Sequence, residues 1–491
     1  MPLSPADIAQ LAAHGIPAAE ARRQLARLRA GQHWTRLERP CTPGDGIRGI
    51  PADQHAELVA RFALAAAAGA VTRFVPASGA ATRMFQPLYG EGDGPGRFLA
   101  ELDRFPFRAE LAAVLADAGG DLAGTRRVGD LPRLLDALLA PDGLDYARRP
   151  KGLLPFHCCD GEIRSAFVEH LAEAAQLAGA GNTARLHFTV SPEHRPLFEA
   201  QLERWRAPLE QRYGARLAVS FSVQQPATDT LALGADGTAL RDAAGRLLLR
   251  PGGHGALLAN LAALDAEVVL IRNIDNVVPD RGKGANLLWD RLLGGLLLEL
   301  ADAQRAVLDE LRRTPEDTAV RRWALAFLRG ELGADLPEDD LDAAALAALL
   351  DRPLRVCGMV ANSGEPGGGP FWVRDASGRL SRQIVEASQI DRGDPAQGTL
   401  LAAATHFNPV DMACLLRDGR GRRYALEPLV DQAAAIVTAK AQNGRELRIL
   451  ERPGLWNGAM AGWHTVFVEL PESTFNPVKT LFDLLRPAHQ P

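Results

Sequence analysis

Cysteine is scarce in this sequence of 491 residues, which contains only five copies. Their odd number and scattered spacing do not match a disulfide framework. The run from His157 to Asp160 looks like a metal site, but no partner pair lies at zinc-site spacing, so we expect no zinc there. Thiols without disulfide partners are typical of a reducing compartment, and we therefore predict a cytoplasmic protein.

Long apolar runs and a basic excess are also missing. No uncharged apolar run reaches membrane-spanning length, and the run 292–298 is flanked closely by Arg291 and Glu299, so we predict that no segment spans a membrane. The first ten residues contain no basic stretch followed by an apolar core, so they do not form a signal peptide. The net charge of −5 argues against a broad surface for nucleic acid but still allows a local phosphate pocket.

What the sequence does contain is an alternation of strand-like and helix-like segments. We predict helices at 4–30, 52–69, 163–179, 191–213 and 256–264, and strong helical periodicity over 287–350. We predict strands at 71–76, 186–190, 217–223, 247–250, 268–271, 354–360, 371–374, 382–387 and 464–470. This alternation predicts an α/β fold in which one sheet carries helices on both faces.

Breaks in this pattern predict the organisation of the chain. Residues 1–69 are expected to form an N-terminal helical segment, 70–480 an α/β domain, and 481–491 a C-terminal tail. Segments 85–149 and 287–350 look like helical insertions within that domain. Ligands of such sheets bind beyond the carboxyl ends of the strands, which is where the motifs below are predicted to lie.

The first candidate site is the turn that follows strand 71–76. Small residues fill it from Ala77 to Ala81, and Arg83 follows closely. Such a turn lets backbone N–H groups approach a phosphate at the start of a helix, with the arginine beside them. Lys151, in the segment 149–155, is a plausible second half of this phosphate site. The structural alternative is a tight connection between a strand and a helix, which small residues also favour.

A second motif is glycine-rich and contains Gly252, Gly253, His254 and Gly255. Three glycines in four residues weaken any strand or helix, so a purely structural role is harder to argue here. A backbone without side chains can approach a flat base closely, and its N–H and C=O groups can read the base edge. The alternative is a mobile glycine-rich loop.

Polar residues at further strand ends complete the set. Asp275 could hold Mg²⁺ together with substrate phosphates, or it could cap a turn along with Asn276. Glu386 could accept hydrogen bonds from sugar hydroxyls or could simply be solvated, and Asn408 could belong to a turn next to Pro409. Lys479 could reach a phosphate as a point charge or could lie on the surface.

The order of these motifs resembles the UDP-sugar pyrophosphorylases, most closely the eukaryotic-type UDP-N-acetylglucosamine pyrophosphorylases. The resemblance covers about 70–480, apart from the two apparent insertions. The chain also looks like a bacterial family known only as a domain of unknown function. The first resemblance implies a Rossmann-like nucleotidyltransferase fold of the glycosyltransferase-A type, with a mixed sheet.

The same resemblance implies a role for each motif. From their positions in the family's motifs, the implied roles are these: Arg83, Lys151 and Lys479 in catalysis; Ser78, Gly79, Ala80, Thr82, Gly252, Gly253, His254 and Gly255 in nucleotide binding; Asn276, Glu386 and Asn408 in sugar binding; and Asp275 in binding Mg²⁺.

The chain departs from the family pattern at three places. Ser78 and Ala81 replace two glycines of the usual turn, and an added Cβ there narrows the approach to phosphate. The distance from the turn to Lys151 is longer than usual, so segment 85–149 is expected to reshape the entrance. The chain stops soon after Lys479, which predicts that the carboxy-terminal β domain of longer relatives is missing.

Nucleotidyl transfer is the leading functional prediction. A sugar 1-phosphate, or a similar phosphomonoester, would attack the α-phosphorus of a nucleoside triphosphate, with UTP favoured, and pyrophosphate would leave. One alternative is a regulatory protein that binds a nucleotide sugar without turnover. Another is a glycosyltransferase on a similar sheet, although its Asp-x-Asp metal motif matches Ile274-Asp275-Asn276 poorly. Because the glycine-rich loop would recognise the base through backbone atoms, the sequence does not identify the base. It does not identify the phosphorylated substrate either.

Overall fold

The computed structural model describes residues 3–89, 92–159, 161–336, 341–362, 364, 367–375, 377–442 and 445–491. Helices and strands alternate through most of this part of the chain. The α-helices are α1 (Pro5–Ala13), α2 (Ala18–Ala30), α3 (His55–Ala67), α4 (Gly94–Glu101), α5 (Arg108–Asp117), α6 (Leu122–Arg127), α7 (Leu131–Leu139), α8 (Ala166–Ala178), α9 (Arg195–Tyr213), α10 (Leu258–Ala262), α11 (Lys283–Arg313), α12 (Thr318–Gly330), α13 (Ala343–Leu350) and α14 (Pro395–Ala402).

The strands are short, and many of them belong to one large sheet. They are β1 (Leu37–Pro40), β2 (Thr42–Pro43), β3 (Gly46–Arg48), β4 (Val71–Pro76), β5 (Pro155–Cys159), β6 (Glu162–Ser165), β7 (Thr183–Thr189), β8 (Arg216–Ser222), β9 (Thr230–Gly234), β10 (Leu249–Arg250), β11 (Val268–Ile271), β12 (Leu354–Ala361), β13 (Gly368–Arg374), β14 (Leu380–Glu386), β15 (His406–Phe407), β16 (Met412–Leu415), β17 (Ile436–Gln442), β18 (Arg445–Glu451) and β19 (His464–Glu469).

The large sheet has the strand order β2-β3-β19-β12-β16-β11-β4-β7-β8, and β15 adds to β12. Along this order neighbouring strands are parallel, except that β16 is antiparallel to both β12 and β11. The predicted α/β fold with a mixed sheet is therefore confirmed. The carboxyl ends of the parallel strands lie at one edge, and the amino end of β16 lies at the same edge because that strand runs the opposite way.

The two faces of the sheet are covered differently. On one face α3 and α11 pack against alternate residues of β11, such as Val268 and Leu270. On the other face Val269 and Ile271 contact α10 and the segment that precedes β19. All four residues of β11 are buried, as expected for a parallel strand covered on both faces. This double cover explains why 268–271 reads as a continuous apolar run.

Smaller sheets surround the large one. A four-stranded sheet, β10-β9-β18-β17, packs against α1 and α2 through residues such as Leu25 and Leu231. A three-stranded sheet, β1-β13-β14, packs through Leu37 and Phe371 against residues of α14. The four-stranded sheet supports the N-terminal helices of the chain.

Strands 71–76 and 268–271 are confirmed with their predicted bounds. The single helix predicted at 4–30 is two helices, because Gly15 has a left-handed φ of 81° and Pro17 is the extended N-cap residue before α2. Segment 163–179 starts as a strand, and its helix begins only after Ser165, whose side chain caps it. The strands that the prediction missed are β1 to β3, β5, β6, β9 and β15 to β18.

No α-helix follows the turn after β4, contrary to the prediction that the turn opens a helix. The next α-helix in the described chain, α4, begins at Gly94. The physical reason is that segment 149–151 takes up part of the turn backbone: Ala81 N–H donates to Arg149 O (3.3 Å), and Lys151 N–H donates to Gly79 O (3.0 Å). The chain therefore bends through turns instead of forming an i to i+4 ladder.

Segment 85–149 contributes α4 to α7, which pack on the same core as β7 and α8, and segment 287–350 includes most of α11. Whether either segment is an insertion stays a prediction. Within the ranges that the structure covers, no helix has the length and apolar character needed to cross a membrane.

Candidate functional site

The turn after β4 is open to solvent and offers free backbone donors. Ser78, Gly79, Ala80, Thr82 and Arg83 are all exposed. Within the described chain, no protein acceptor takes the backbone N–H of Gly79 or of Ala80. A Cβ built on Gly79 would meet no atom within 4 Å, so space for a ligand lies above this position. Free N–H groups in a turn suit the binding of an anion.

Lys151 lies directly beside this turn. Its backbone N–H bonds to Gly79, and its ammonium group donates to the carboxylate of Asp275 with an Nζ–Oδ2 distance of 2.7 Å. The following glycine, Gly152, is buried, and a Cβ there would approach the side chain of Ile274 to 3.0 Å. The turn after β4 and Lys151, which are separated in the sequence by segment 85–149, are therefore adjacent in space.

Asp275 lies in the loop after β11 and forms the centre of what we name the lysine cluster, which consists of Lys151, Asp275 and Lys479. The Lys479 ammonium group lies 3.2 Å from Oδ2 of Asp275. Burial alone would raise the pKa of Asp275, but the two ammonium groups outweigh it and hold the pKa below its usual value. Burial lowers the pKa of Lys151 more than the Asp275 carboxylate raises it. Two cations thus share one anion, which leaves the cluster positive.

Asn276 attaches the C-terminal segment to this loop. Its side-chain amide donates to Thr474 O (3.2 Å) and accepts from Asn476 N–H (2.8 Å), and the residue is 1% exposed. The backbone N–H of Val478 also donates to Asp275 O (3.0 Å). These bonds place Lys479 over Asp275. Both ends of the Asn276 amide are occupied by backbone groups, so the structure gives it a positioning role.

The glycine-rich segment forms a closely packed loop whose glycines are required by their surroundings. Gly253 has a left-handed φ of 73°. A Cβ on Gly252 would lie 2.6 Å from Thr228 O, and one on Gly255 would lie 2.1 Å from Pro453 O. Close backbone contact therefore explains the glycines at 252 and 255 without a ligand.

His254 projects from this loop into what we name the histidine cluster, which consists of His254, Glu386 and Trp456. Its Nδ1 accepts from Leu455 N–H (3.2 Å), so the proton of the neutral ring is on Nε2, which lies 3.5 Å from Glu386 Oε1. The indole of Trp456 lies 4.4 Å from the imidazole centroid. The hydrogen bond from His254 holds the pKa of Glu386 below its usual value, against the effect of burial.

Asn408 lies next to Glu386 across β13. Its backbone N–H donates to Gly368 O (2.7 Å), and Gly368 is the β-ladder partner of Glu386. Its Oδ1 accepts from Val410 N–H (3.0 Å), whereas its buried Nδ2 has no partner among the described residues. Two of the three predicted sugar-binding positions, Glu386 and Asn408, therefore belong to one part of the structure, and the Nδ2 of Asn408 is a donor without a partner among the described residues. The third, Asn276, is held by the backbone at 474 and 476 instead.

A buried ionic network that the sequence did not predict lies within the large sheet, next to the loop that carries Asp275. Arg272 contacts Asp290 (3.0 Å) and Asp411 (2.7 Å), and Arg73 contacts Glu173 and Asp290 (both 2.6 Å). Burial raises the pKa of Asp411 to about 7, although Arg272 opposes this. A signal was present in the sequence, because Arg73 interrupts an apolar strand and Arg272 follows one directly.

The sequence also matches a known family over almost its whole length. The match to a family described as a domain of unknown function (DUF4301) covers residues 4–490. The chain belongs to the DUF4301 family. This confirms the predicted resemblance to a family without an assigned function, and no curated protein matches the chain.

Solved structures similar to this DUF4301 protein include enzymes from Trypanosoma brucei and Leishmania major. A UDP-N-acetylglucosamine pyrophosphorylase from Trypanosoma brucei is 16% identical with a TM-score of 0.48, and the match covers 98% of this chain and 79% of that one. A UDP-glucose pyrophosphorylase from Leishmania major is 12% identical with a TM-score of 0.47, covering 98% and 77%. Both are UDP-sugar pyrophosphorylases, the class that the motif order resembles.

The residues around Asp275 can accommodate Mg²⁺ only with help from a substrate. No group of three or more His, Cys, Asp or Glu side chains in the described parts of the DUF4301 chain could hold a metal ion. Asp275 is a single carboxylate that is held ionised and is paired with two ammonium groups. Mg²⁺ often binds through one carboxylate plus substrate phosphates. Asp275 fits that role if phosphate oxygens draw the ammonium groups away from it.

Part of the zinc-like run lies outside the described residues, namely Asp160. His157 itself is buried and bonds to Glu169 (2.9 Å) and to His489 (2.9 Å). These contacts tie β5 to α8 and to the C-terminal segment of the DUF4301 chain.

Proposed function

We propose that this protein is a nucleotidyltransferase that transfers a nucleoside monophosphate, with UTP as the favoured donor, to a sugar 1-phosphate. The observation that carries the proposal is the lysine cluster, in which Lys151 and Lys479 share the carboxylate of Asp275 beside an open turn. A net positive cluster next to free backbone N–H groups suits a polyphosphate.

The reaction needs no protein nucleophile. An oxygen of the sugar 1-phosphate forms a bond to the α-phosphorus of the triphosphate, and the bond from that phosphorus to the bridging oxygen of pyrophosphate breaks. The leaving pyrophosphate carries away the electron pair. The protein would contribute by holding the two phosphates in line and by neutralising the charge that develops on their oxygens. We assign that neutralisation to Arg83, Lys151 and Lys479.

The pairing within the lysine cluster suggests how the site is kept ready. In the free protein the ammonium groups of Lys151 and Lys479 are held in place by Asp275, so they need little reorganisation when phosphates arrive. Phosphate oxygens then compete with the carboxylate for the ammonium protons. We further propose that Asp275, once released, binds Mg²⁺ together with the substrate phosphates. When bound, the cation would add positive charge at the phosphates.

The histidine cluster and its loop are the proposed recognition side of the site. Gly253 and His254 would contact the uracil, because Gly252 and Gly255 are packed against neighbouring backbone. Glu386 would accept hydrogen bonds from sugar hydroxyls because it is held ionised. The unpartnered Nδ2 of Asn408 would donate to a sugar oxygen. We also propose a cytoplasmic location, because the donor would be a nucleoside triphosphate and four cysteines in the described residues are free thiols.

The first test is thermal melting of the protein with UTP, CTP, GTP or ATP in the presence of Mg²⁺. A triphosphate at about one hundred times its dissociation constant stabilises the folded state by about 2.7 kcal/mol, which raises the melting temperature by a few degrees. We expect one triphosphate to do this, and we expect Lys151→Ala to abolish the shift. The matched control is Arg148→Ala, which also removes a positive charge but from an exposed side chain paired with Asp145.

Pyrophosphate release over a set of sugar 1-phosphates then tests turnover. We expect release with the stabilising triphosphate, and a loss of at least a hundredfold in Lys151→Ala. No melting shift with any triphosphate would contradict the proposal. A shift without pyrophosphate release from any sugar phosphate would indicate the regulatory binding protein instead.

A further inference from the structure

Glu386, the carboxylate of the histidine cluster, has a second partner that no motif of the sequence indicated. The side-chain amide of Asn457 donates to Glu386 with an Nδ2–Oε1 distance of 2.8 Å, and Asn457 is 1% exposed. A carboxylate that is held ionised accepts hydrogen bonds and does not donate them, so Glu386 fixes which end of the amide faces it. Asn457 therefore acts on the same oxygen that Nε2 of His254 approaches to 3.5 Å.

Gly454 shows how closely these two donors approach each other. A Cβ built on Gly454 would lie 2.8 Å from Nε2 of His254 and 2.9 Å from Nδ2 of Asn457. Any side chain at this position would push at least one donor away from its place. The glycine thus lets an imidazole and an amide converge on one oxygen of Glu386, which restricts the directions that the carboxylate can take.

The backbone next to Asn457 is anchored to the large sheet. Arg355 of β12 is buried, and it donates to Trp456 O (2.6 Å) and to Thr465 Oγ1 of β19 (2.9 Å). These bonds join two neighbouring strands of the sheet to the residue that precedes Asn457. The amide is therefore presented to Glu386 from a fixed base.

The side chain of Asn457 serves Glu386 rather than the backbone of the fold. Its Oδ1 is buried and has no partner among the described residues, which provide this side chain with the bond to Glu386 alone. Asn276 is the contrasting case, because both ends of its amide bond to backbone groups. A buried polar atom without a partner lowers the stability of the fold, so a structural role does not account for Asn457.

We propose that Asn457 is a positioning residue that orients the Glu386 carboxylate toward the hydroxyl groups of a bound sugar. It would thereby set how much the sugar adds to the binding of a nucleotide sugar, without acting on the nucleotide itself. This inference rests on the proposed function, in which Glu386 accepts hydrogen bonds from the sugar. A purely structural Asn457 would instead affect the binding of the nucleotide and of the sugar alike.

Isothermal titration with UDP, UDP-glucose and UDP-N-acetylglucosamine, each with Mg²⁺, tests this assignment. The ratio of the affinity for a nucleotide sugar to the affinity for UDP isolates the contribution of the sugar. We expect Asn457→Ala to lower this ratio about tenfold, because a hydrogen bond to a charged group is lost, and to leave the affinity for UDP unchanged.

Asn182→Ala is the matched control for that titration. It also removes an amide that donates one hydrogen bond, to Ala178 O (2.9 Å). Asn182 directly precedes β7 and so lies at the amino end of a parallel strand, whereas the candidate site lies at the carboxyl ends. We expect this variant to keep the wild-type ratio.

Asn457→Asp adds a dependence on pH that a structural role would not give. At about pH 8 it places a second carboxylate against Glu386, so the ratio should fall at least as far as in Asn457→Ala. At about pH 6 the two carboxylates share one proton, the protonated one donates to the other, and the hydrogen bond is restored. The ratio should then recover toward the wild-type value. Asn457→Ala keeps His254 and has no added carboxyl group, so it reports any change that comes from the imidazole.

The outcomes separate this inference from the proposed function. If the wild type binds none of the three ligands, the proposed function is contradicted, and this inference with it. If the wild type binds them and both Asn457 variants keep its ratio, only the role of Asn457 is contradicted. An equal loss of UDP and of the nucleotide sugars in Asn457→Ala would also contradict that role, because it assigns Asn457 to the fold. If one variant does not fold, the other decides.

Discussion

At the scale of single residues, the buried acid Asp411 is expected to make the stability of the protein depend on pH. It lies in a network with Arg272 and Arg73 on one side and Glu173 and Asp290 on the other, so three carboxylates share two guanidinium groups. Burial and the neighbouring carboxylates favour a proton on Asp411. The network lies between β4, β11 and the segment before β16, which all lead to the candidate site.

This network predicts a stability that depends on pH. The pKa of Asp411 is raised from 3.8 to about 7 in the folded chain, so between these values the folded state binds more protons than the unfolded state. Its stabilising contribution is complete below about pH 4 and is lost as the pH rises through about 7. Relative to Asp411→Asn, we expect the wild type to lose on the order of 2 to 3 kcal/mol between pH 5 and pH 8.

Urea denaturation of both proteins at the two pH values measures this difference. Asp117→Asn is the matched control, because Asp117 is exposed at the end of α5 and should give the same difference at both pH values. If the difference in unfolding free energy between the wild type and Asp411→Asn were the same at both pH values, Asp411 would be ionised at both, which would contradict the prediction.

At the scale of elements, the contact between α3 and α11 is set by two adjacent glycines. A Cβ on Gly294 would lie 2.4 Å from the ring of Phe62, and one on Gly295 would lie 2.2 Å from Leu58 O. The α3 backbone therefore approaches α11 more closely than any side chain at 295 would allow. This close contact covers the face of the large sheet that carries Val268 and Leu270.

Alanine at two glycines of the same helix should have opposite effects. Gly295→Ala gains about 1 kcal/mol of helix propensity but pushes a methyl group into the α3 backbone, so we expect a net loss of about 2 kcal/mol or more. Gly284→Ala meets no atom within 4 Å and should stabilise the protein by about 0.5 kcal/mol. Denaturant unfolding of both variants checks this, and equal effects would contradict the packing argument.

At the scale of the whole molecule, the C-terminal segment closes the structure around the site. Leu481, Leu484 and Leu485 are buried in the core that α8 shares with β7, and His489 is 2% exposed against His157. Lys479, which contacts Asp275, lies two residues before Leu481. Residues 481–491 thus hold one lysine of the cluster in place, even though the sequence suggested only a tail.

Deleting 486–491 should therefore affect both stability and the site. It removes the His489 contact and the bond from Arg281 to Pro487 O (2.6 Å), so we expect a melting temperature lower by a few degrees. The deletion also removes the contact of Arg486 with Asp483 (2.8 Å) and the bond from Gln490 to Leu484 O (2.7 Å). Because Asp483 accepts from the backbone N–H of Lys479, we expect the triphosphate-induced shift to shrink as well. Deleting Pro491 alone, which is exposed, is the control and should change neither quantity.

A strand or helix could be predicted from the sequence when the physical cause of its structure lies within a short stretch of the chain. The strands at 71–76 and 268–271 were predictable because a buried parallel strand leaves a continuous apolar run. Strands β17 and β18 were missed because they belong to a small sheet flanked by loops and read as ordinary polar sequence. The single helix predicted at 4–30 was wrong because helical periodicity on both sides concealed the break at Gly15 and Pro17.

The sequence by itself determined the fold class, the family, and the identity of the residues in the lysine cluster, because those depend on short motifs and on the pattern of apolar residues. Tertiary structure alone decided that Lys151 and Lys479 share Asp275, that Asn276 bonds to the backbone at 474 and 476, and that the glycines of the 252–255 loop fit against neighbouring backbone. The reason is that each of these contacts joins residues far apart in the chain, and only the folded sheet brings them within hydrogen-bond distance.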